Sequence, residues 1–130
     1  MMSPVEAASL WVGLNAFLLI FLSARVGATR MKHKVNLGDG GNEYMVKAIR
    51  TQGNYIEYAP AALGGLVLLA LLNAPIMLIH LLGAMFLFAR ISHLLGLGMG
   101  VWPQGRVVGT VFTMITLLVT GISLITLAVF

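Results

Sequence analysis

The hydrophobic residues of this chain are concentrated in four long stretches. They cover residues 5–24, 55–72, 74–89 and 107–130. An α-helix rises 1.5 Å per residue, so about 20 apolar residues cross the roughly 30 Å hydrocarbon core of a bilayer. The pattern therefore predicts an all-α membrane protein, in which residues 1–130 form a single four-helix transmembrane bundle.

Polar and turn-forming residues separate the four stretches. Residues 30–45 are rich in glycine and Asx and predict a turn, and residues 73–75 predict a tight hairpin with Pro75 in the first turn of the next helix. Residues 99–105 connect the last two spans. Three alternating glycines are expected to end the third helix and to loosen this connection: Gly96, Gly98 and Gly100.

The composition agrees with a membrane protein and limits its chemistry. The chain is 59% hydrophobic and 9% charged, with a mean hydropathy of +0.97. It contains no cysteine, which excludes disulfides, thiolate metal sites and a protein-borne thiol nucleophile. Any thiol chemistry must therefore use a thiol that a ligand brings, and we predict no metal site. Four spans leave no basic face wide enough for nucleic acid, despite the net charge of +4.

The positive charges predict the orientation in the membrane. All eight lie in or beside the first and third connections: Arg25, Arg30, Lys32, Lys34, Lys47, Arg50, Arg90 and Arg106. By the positive-inside rule these connections are cytoplasmic, and both termini and the hairpin at Asn73 face the periplasm or lumen. No positive charge precedes the first apolar stretch, so we read it as a permanent helix and not as a cleaved signal peptide.

A layer of polar residues is predicted inside the cytoplasmic half of the membrane. Arg50, Asn54 and Glu57 share one helix face, and Glu57 lies roughly 10 Å deeper than Arg50. A carboxylate at this depth costs several kcal/mol unless it is paired, so we expect Glu57 to face the bundle interior and to meet a cation. The candidates at the same depth are Arg25 or Arg30, Arg90, His93 and Arg106.

Two interpretations of this layer remain open. In the first, the polar residues only hold the bundle together through salt bridges and helix caps. In the second they bind a ligand, because five arginines accompany a single buried acid and such an excess favours an anionic guest with carboxylates. Some of these arginines can instead reach lipid phosphates.

Other polar and small residues predict helix packing. We expect His80 to be an interhelical hydrogen bonder and not a catalyst. Ala61 and Gly65 predict one close helix contact. A stripe on the fourth helix predicts another packing seam and consists of Arg106, Gly109, Thr113, Thr116, Thr120 and Ser123.

The second span also carries a recognisable motif. Arg50-Thr-Gln-Gly-Asn-Tyr-Ile-Glu-Tyr-Ala-Pro60 has the form Arg-x-Gln-x-Asn-x-x-Glu-Tyr-x-Pro, and Phe88-Ala-Arg-Ile-Ser-His93 follows on the third span. With Gly96 and Arg106, these segments resemble the membrane-associated proteins in eicosanoid and glutathione metabolism, the MAPEG family of microsomal glutathione transferases and related synthases. The resemblance extends over essentially the whole chain.

The resemblance implies a homotrimer with glutathione, as co-substrate, bound in the cytoplasmic leaflet between subunits. It assigns Arg50, Asn54 and Glu57 to the tripeptide, with Glu57 at its amino group and arginines at its carboxylates. Arg106 is the match for the arginine that stabilises the thiolate. Further positions in or near the site are Gln52, Tyr58, His93, Arg90 and, from the first helix, either Arg30 or Arg25.

Two departures from the family pattern narrow the expected function. Leu97 stands where the synthases have a ligand-contacting tyrosine, and Gly53 where the prostaglandin branch has an arginine. The resemblance therefore implies a bacterial-type inner membrane member, a transferase or peroxidase for lipophilic electrophiles or hydroperoxides. A lipid-binding or lipid-presenting protein of the same fold and a small proton-coupled exporter are the alternatives.

Overall fold

The computed structural model describes residues 2–130. Its helices are α1 (Pro4–His33), α2 (Glu43–Leu71), α3 (Ile76–His93), which continues into a π-helical turn (Leu94–Gly98), and α4 (Gly105–Val129). All four helices are long and apolar enough to cross a membrane, and residues 2–130 contain no strand. The prediction of an all-helical chain with four spans is confirmed.

Side-chain hydrogen bonds and left-handed residues define the helix ends. Ser3 caps α1, because its Oγ accepts from the backbone N–H of Glu6 at 3.2 Å while the Glu6 carboxylate accepts from the N–H of Ser3 at 2.6 Å. Asn42 caps α2 by accepting from the N–H of Met45 at 3.0 Å. The hairpin between α2 and α3 turns at Asn73, which has a φ of 56°. The predicted hairpin is therefore confirmed.

The first two helices extend well beyond the apolar stretches that predicted them. α1 continues from residue 24 to His33, and α2 begins at Glu43 and not at residue 55. Hydropathy marks only the part of a helix that lies in hydrocarbon, whereas Lys, Arg and Gln also favour helix in the aqueous region. The connection is therefore shorter than predicted and covers residues 34–42.

The helices pack as two consecutive pairs. The largest interfaces join α1 to α2 and α3 to α4. α2 also contacts α3 and α4, and α1 contacts α3, whereas α1 and α4 do not touch within the described residues. Two apolar clusters form the core, one around Leu69 and Ile79 and the other around Leu22, Tyr55 and Phe86. α2 and α3 are therefore the central helices of the bundle.

Trp11 and Asn15 of α1 make polar contacts with the neighbouring helices. Nε1 of Trp11 donates to Nδ1 of His80 at 3.0 Å, which confirms His80 as an interhelical hydrogen bonder. The Trp11 ring packs directly on Gly83, where a Cβ would meet the ring atoms. The hydroxyl of Tyr55 donates to the buried Asn15, at 3.1 Å to its carbonyl and 3.2 Å to its Oδ1. α1 is thus fixed to both central helices.

The small-residue stripe of α4 packs inside the chain, as expected for a seam. Its buried members are Gly109, Thr113, Thr116 and Thr120. Gly65 of α2 lies against Thr120, so closely that a Cβ on Gly65 would meet the threonine methyl group. Ala61 is exposed and takes no part in this contact.

The glycines after α3 do not loosen the connection, contrary to our expectation. The helix continues as a π-helical turn through Gly98, and Gly96 packs so tightly on α4 that a Cβ there would meet the backbone of Arg106. Gly98 is buried beside Arg25. Only Gly100 is exposed, with a φ of 68°. Because they lack a side chain, Gly96 and Gly98 let the π-helical turn pack closely against α4 and Arg25.

Candidate functional site

Arg50 and Glu57 lie on the outward face of α2. Nη1 of Arg50 is 3.7 Å from Oε1 of Glu57, and the side chains are 60% and 52% exposed. The expectation that Glu57 faces the bundle interior is therefore wrong for the single chain, and its partner comes from its own helix. The helix register explains this, because Tyr55, Ala59 and Ala62 occupy the inward face of α2. The long, half-exposed ion pair is a weak one that leaves both groups accessible to a further partner.

Arg90 lies in the bundle interior, where it joins α2, α3 and α4. Nη1 donates to Oδ1 of Asn54 at 2.7 Å, while Nη2 donates to the carbonyl of Gly109 at 3.0 Å and to the hydroxyl of Thr113. The guanidinium also lies 5.5 Å from the ring centre of Tyr58. The side chain is 3% exposed. Arg90 thus supports Asn54 and Tyr58 from behind the outward face of α2.

Gln52 and His93 occupy different positions relative to this face. Gln52 is partly exposed, and its Nε2 donates to the hydroxyl of Ser23 on α1 at 2.8 Å. His93 is 4% exposed and packs against Gly109, where a Cβ would meet its backbone and Cβ. Of these two predicted site residues, Gln52 is accessible from outside and His93 belongs to the α3–α4 interface.

Arg106 stands at the start of α4 with an exposed side chain. Its backbone packs on Gly96, so the π-helical turn fixes where the side chain begins. Gly109 lies one turn further along α4, and its carbonyl accepts a hydrogen bond from Arg90. A short sequence of contacts thus connects Arg106 to Asn54, although the Arg106 side chain has no hydrogen-bond or ion-pair partner among residues 2–130.

The two arginines of α1 have different surroundings. Arg25 donates to the carbonyl of Gly98 in the π-helical turn, and its Nη1 is buried without an acceptor in the described part of the chain. Arg30 donates instead to carbonyls of the following loop, at 2.8 Å to Gly38 and 3.5 Å to Val35. Arg25, and not Arg30, contacts the π-helical turn that precedes α4.

Positive charge is in excess around this layer. The only ion pairs in the described chain are Lys47–Glu43, at the start of α2, and Arg50–Glu57. Arg25, Arg90 and Arg106 therefore have no carboxylate within reach in residues 2–130. Such an arrangement favours an anionic ligand.

Sequence reasoning missed the acceptors that hold these arginines. Thr113 and the carbonyl of Gly109 bind Arg90, and the carbonyl of Gly98 binds Arg25. Thr113 and Gly109 were recognised only as members of the packing stripe. One feature of the sequence could have indicated this polar role. The hydroxyl of Thr113 lies one helical turn from Gly109, at the depth predicted for Arg90.

An apolar groove runs along α1 and α2 beside the outward face. Its volume is about 310 Å³, and it is lined by Val12, Ala16, Leu19, Tyr55, Ile56, Ala59, Pro60 and Leu63. The groove suits a hydrocarbon chain or another apolar molecule. No group of three or more His, Cys, Asp or Glu side chains that could hold a metal ion occurs in residues 2–130.

The sequence matches one protein family and a curated inner membrane protein. The model of the MAPEG family matches residues 8–126. Inner membrane protein YecN of Escherichia coli (strain K12) is 34% identical over 89 residues, which cover 68% of this chain and 68% of YecN. YecN of Escherichia coli O6:H1 matches to the same extent. No solved structure matches this chain. The four apolar helices and this relative support a multi-pass inner membrane protein.

Proposed function

We propose, since this chain belongs to the MAPEG family, that it binds glutathione at the outward face of α2 and activates the thiol. The second substrate is a lipophilic electrophile or hydroperoxide that arrives from the membrane. The name of the related YecN gives a location and no ligand, so the proposal depends on the chemistry of the site.

The observation that carries the proposal is the accessible pair of opposite charges on α2. Arg50 offers a cation and Glu57 an anion, 3.7 Å apart and both half-exposed. A free amino acid end, such as the γ-glutamyl end of glutathione, carries an ammonium and a carboxylate at a similar spacing. The remaining carboxylate and a thiolate suit the surplus arginines that a ligand can reach, of which Arg106 has an exposed side chain.

A homotrimer accounts for where these charges lie. An exposed Arg–Glu pair on a membrane-spanning helix costs several kcal/mol against lipid, and protein on the other side removes this cost. The same face carries Gly53, Ala61 and Gly64; all three are accessible, and a Cβ on either glycine would meet nothing within 4 Å. Small residues of this kind let a helix of another subunit approach closely. The glutathione site then lies between subunits.

Activation of the thiol needs a cation and no protein base. A thiol has a pKa near 8.5 in water, and a nearby guanidinium lowers this pKa by stabilising the thiolate. The exposed Arg106 is our candidate for this guanidinium. The thiol proton passes to water, and the thiolate sulfur then displaces a leaving group such as halide from the electrophile.

A lipid-binding protein of the same fold is the second candidate. The apolar groove along α1 and α2, and Leu97 at a position where related synthases have tyrosine, favour it. A proton-coupled exporter is less favoured, because the surplus arginines would repel a cationic substrate.

Titration of the purified protein with glutathione in detergent separates the candidates. We expect saturable binding, and turnover when an aryl halide or a lipid hydroperoxide is added. Binding of fatty acid or phospholipid in place of glutathione would establish the lipid-binding candidate. Flux driven by pH in proteoliposomes, without glutathione binding, would establish the exporter.

The orientation is a separate prediction. Because the chain has no cysteine, single cysteines placed at Asp39, Asn73 or Gly100 give unambiguous labelling. In spheroplasts, a membrane-impermeant maleimide should label the Asn73 position and leave the other two unmodified until the cells are opened. If the Asp39 position is labelled from outside the cell, Arg50 and Glu57 lie in the periplasmic leaflet, and the predicted orientation is wrong.

A further inference from the structure

Arg90 is a buried cation held only by neutral acceptors. Within the described chain its guanidinium meets no carboxylate, and it is bound by Asn54 on α2 and by Gly109 and Thr113 on α4. Its Nε is also buried without an acceptor in residues 2–130. Because the side chain is 3% exposed, a ligand on the outward face of α2 does not reach it.

The chemistry of the two side chains fixes how Asn54 is turned. A guanidinium carries five N–H donors and no acceptor, whereas a side-chain amide has one oxygen acceptor and one NH₂ donor. Only Oδ1 of Asn54 can therefore face Arg90, and it lies 2.7 Å from Nη1 of Arg90. The NH₂ group then points away from Arg90, and the contact with Arg90 is the only side-chain hydrogen bond of Asn54 among the described residues.

We infer that Arg90 is a positioning residue, which turns the amide of Asn54 so that the ligand meets an N–H donor. The inference rests on the proposed glutathione site. It specifies that Asn54 recognises an oxygen acceptor of the tripeptide, a carboxylate or a peptide carbonyl. Glu57 can only accept when it is ionised, so it takes the ammonium group. Without Arg90 the amide turns freely and presents its oxygen as readily as its NH₂.

Replacing Asn54 by Asp tests the direction of this hydrogen bond. One carboxylate oxygen of the variant stays on Arg90 and the other replaces the outward NH₂, so an acceptor stands where the ligand needs a donor. We expect glutathione affinity to fall at least tenfold by calorimetry, with the melting temperature unchanged or raised. Binding by Asn54→Asp as tight as by the parent, or tighter, would overturn the inference.

A double-mutant cycle tests whether Arg90 acts through Asn54. In Arg90→Lys the charge remains, but an ammonium lacks the planar fork that reaches α2 and α4 together. We expect Arg90→Lys to weaken glutathione binding about fivefold to tenfold in the parent and less than twofold in the Asn54→Ala variant. Equal losses in both backgrounds would mean that Arg90 contacts the ligand or only maintains the fold, and the inference would be wrong.

A ligand-free readout keeps this test independent of the proposed function. Asn54→Asp should leave the melting temperature unchanged or raised when Arg90 is present, and lower it in an Arg90→Met background, where the carboxylate loses its partner. If the parent binds no glutathione, the proposed site fails, but this thermal coupling still decides whether Arg90 holds residue 54. Identical temperature changes in both backgrounds would disprove the contact itself.

Discussion

Replacing Arg106 by leucine is expected to reduce turnover with an aryl halide about 100- to 1000-fold and to change glutathione affinity no more than about threefold. The magnitude is that of removing one preorganised donor from a developing or stabilised anion. Affinity should persist because, in the proposed site, Arg50, Asn54 and Glu57 hold the tripeptide. Binding and chemistry would then separate in a single variant, as expected for a group that acts on the thiolate.

The thiolate itself provides the direct measurement. Its ultraviolet absorbance, followed in the bound state from roughly pH 6 to 9, should appear at lower pH in the parent than in Arg106→Leu, because the guanidinium lowers the thiol pKa. Lys32→Leu removes one exposed positive charge at the end of α1 and is the matched control. If the parent and Arg106→Leu titrate together, the activating group is Arg25 or Arg30. If even the parent forms no thiolate, the lipid-binding candidate takes precedence.

Replacing Glu57 by glutamine should weaken glutathione binding by about ten- to a hundredfold. The change removes the negative charge that is proposed to meet the ligand's ammonium, and a hydrogen bond to a charged group is worth roughly 1.5–3 kcal/mol. Calorimetry on the assembled protein measures the effect. Turnover at saturating glutathione should change far less than affinity, because the ammonium lies away from the reacting sulfur.

Glu43→Gln is the control for this experiment, because it removes a carboxylate from the same helix. Glu43 pairs with Lys47 at 2.8 Å near the start of α2, in the exposed part of the helix. We expect no measurable change in glutathione affinity from this substitution. Equal affinities of Glu57→Gln and the parent, with assembly intact, would remove Glu57 from the site.

The spans were predictable because hydrocarbon imposes a simple rule of length and apolarity. The same rule does not report where a helix ends outside the membrane, so it missed the extension of α1 to His33 and the early start of α2 at Glu43. The packing roles of His80 and of the α4 stripe were also predictable, since polar and small residues at helical spacing point to close neighbours.

The orientation of the charged side chains was less accessible from sequence. Arg50, Asn54 and Glu57 were correctly placed on one side of α2, but the rule that buried charges face inward applies to a complete assembly and not to one chain. Arg90 and Arg106 could not be distinguished by pattern. Close packing of α3 on Gly109 of α4 buries Arg90, whereas Arg106, at the start of α4, has an exposed side chain.

The pairing of consecutive helices has a consequence for biosynthesis. Because the largest interfaces join α1 to α2 and α3 to α4, each half of the chain can pack as a hairpin soon after it enters the bilayer. The tight turn at Asn73 separates these halves. The hydrogen bond from Arg90 to Asn54 crosses between them, so the amide of Asn54 gains this contact only when the second hairpin has joined the first. A chain that ended after α2 would therefore insert as a hairpin that carries Arg50 and Glu57, and its Asn54 would lack the contact with Arg90.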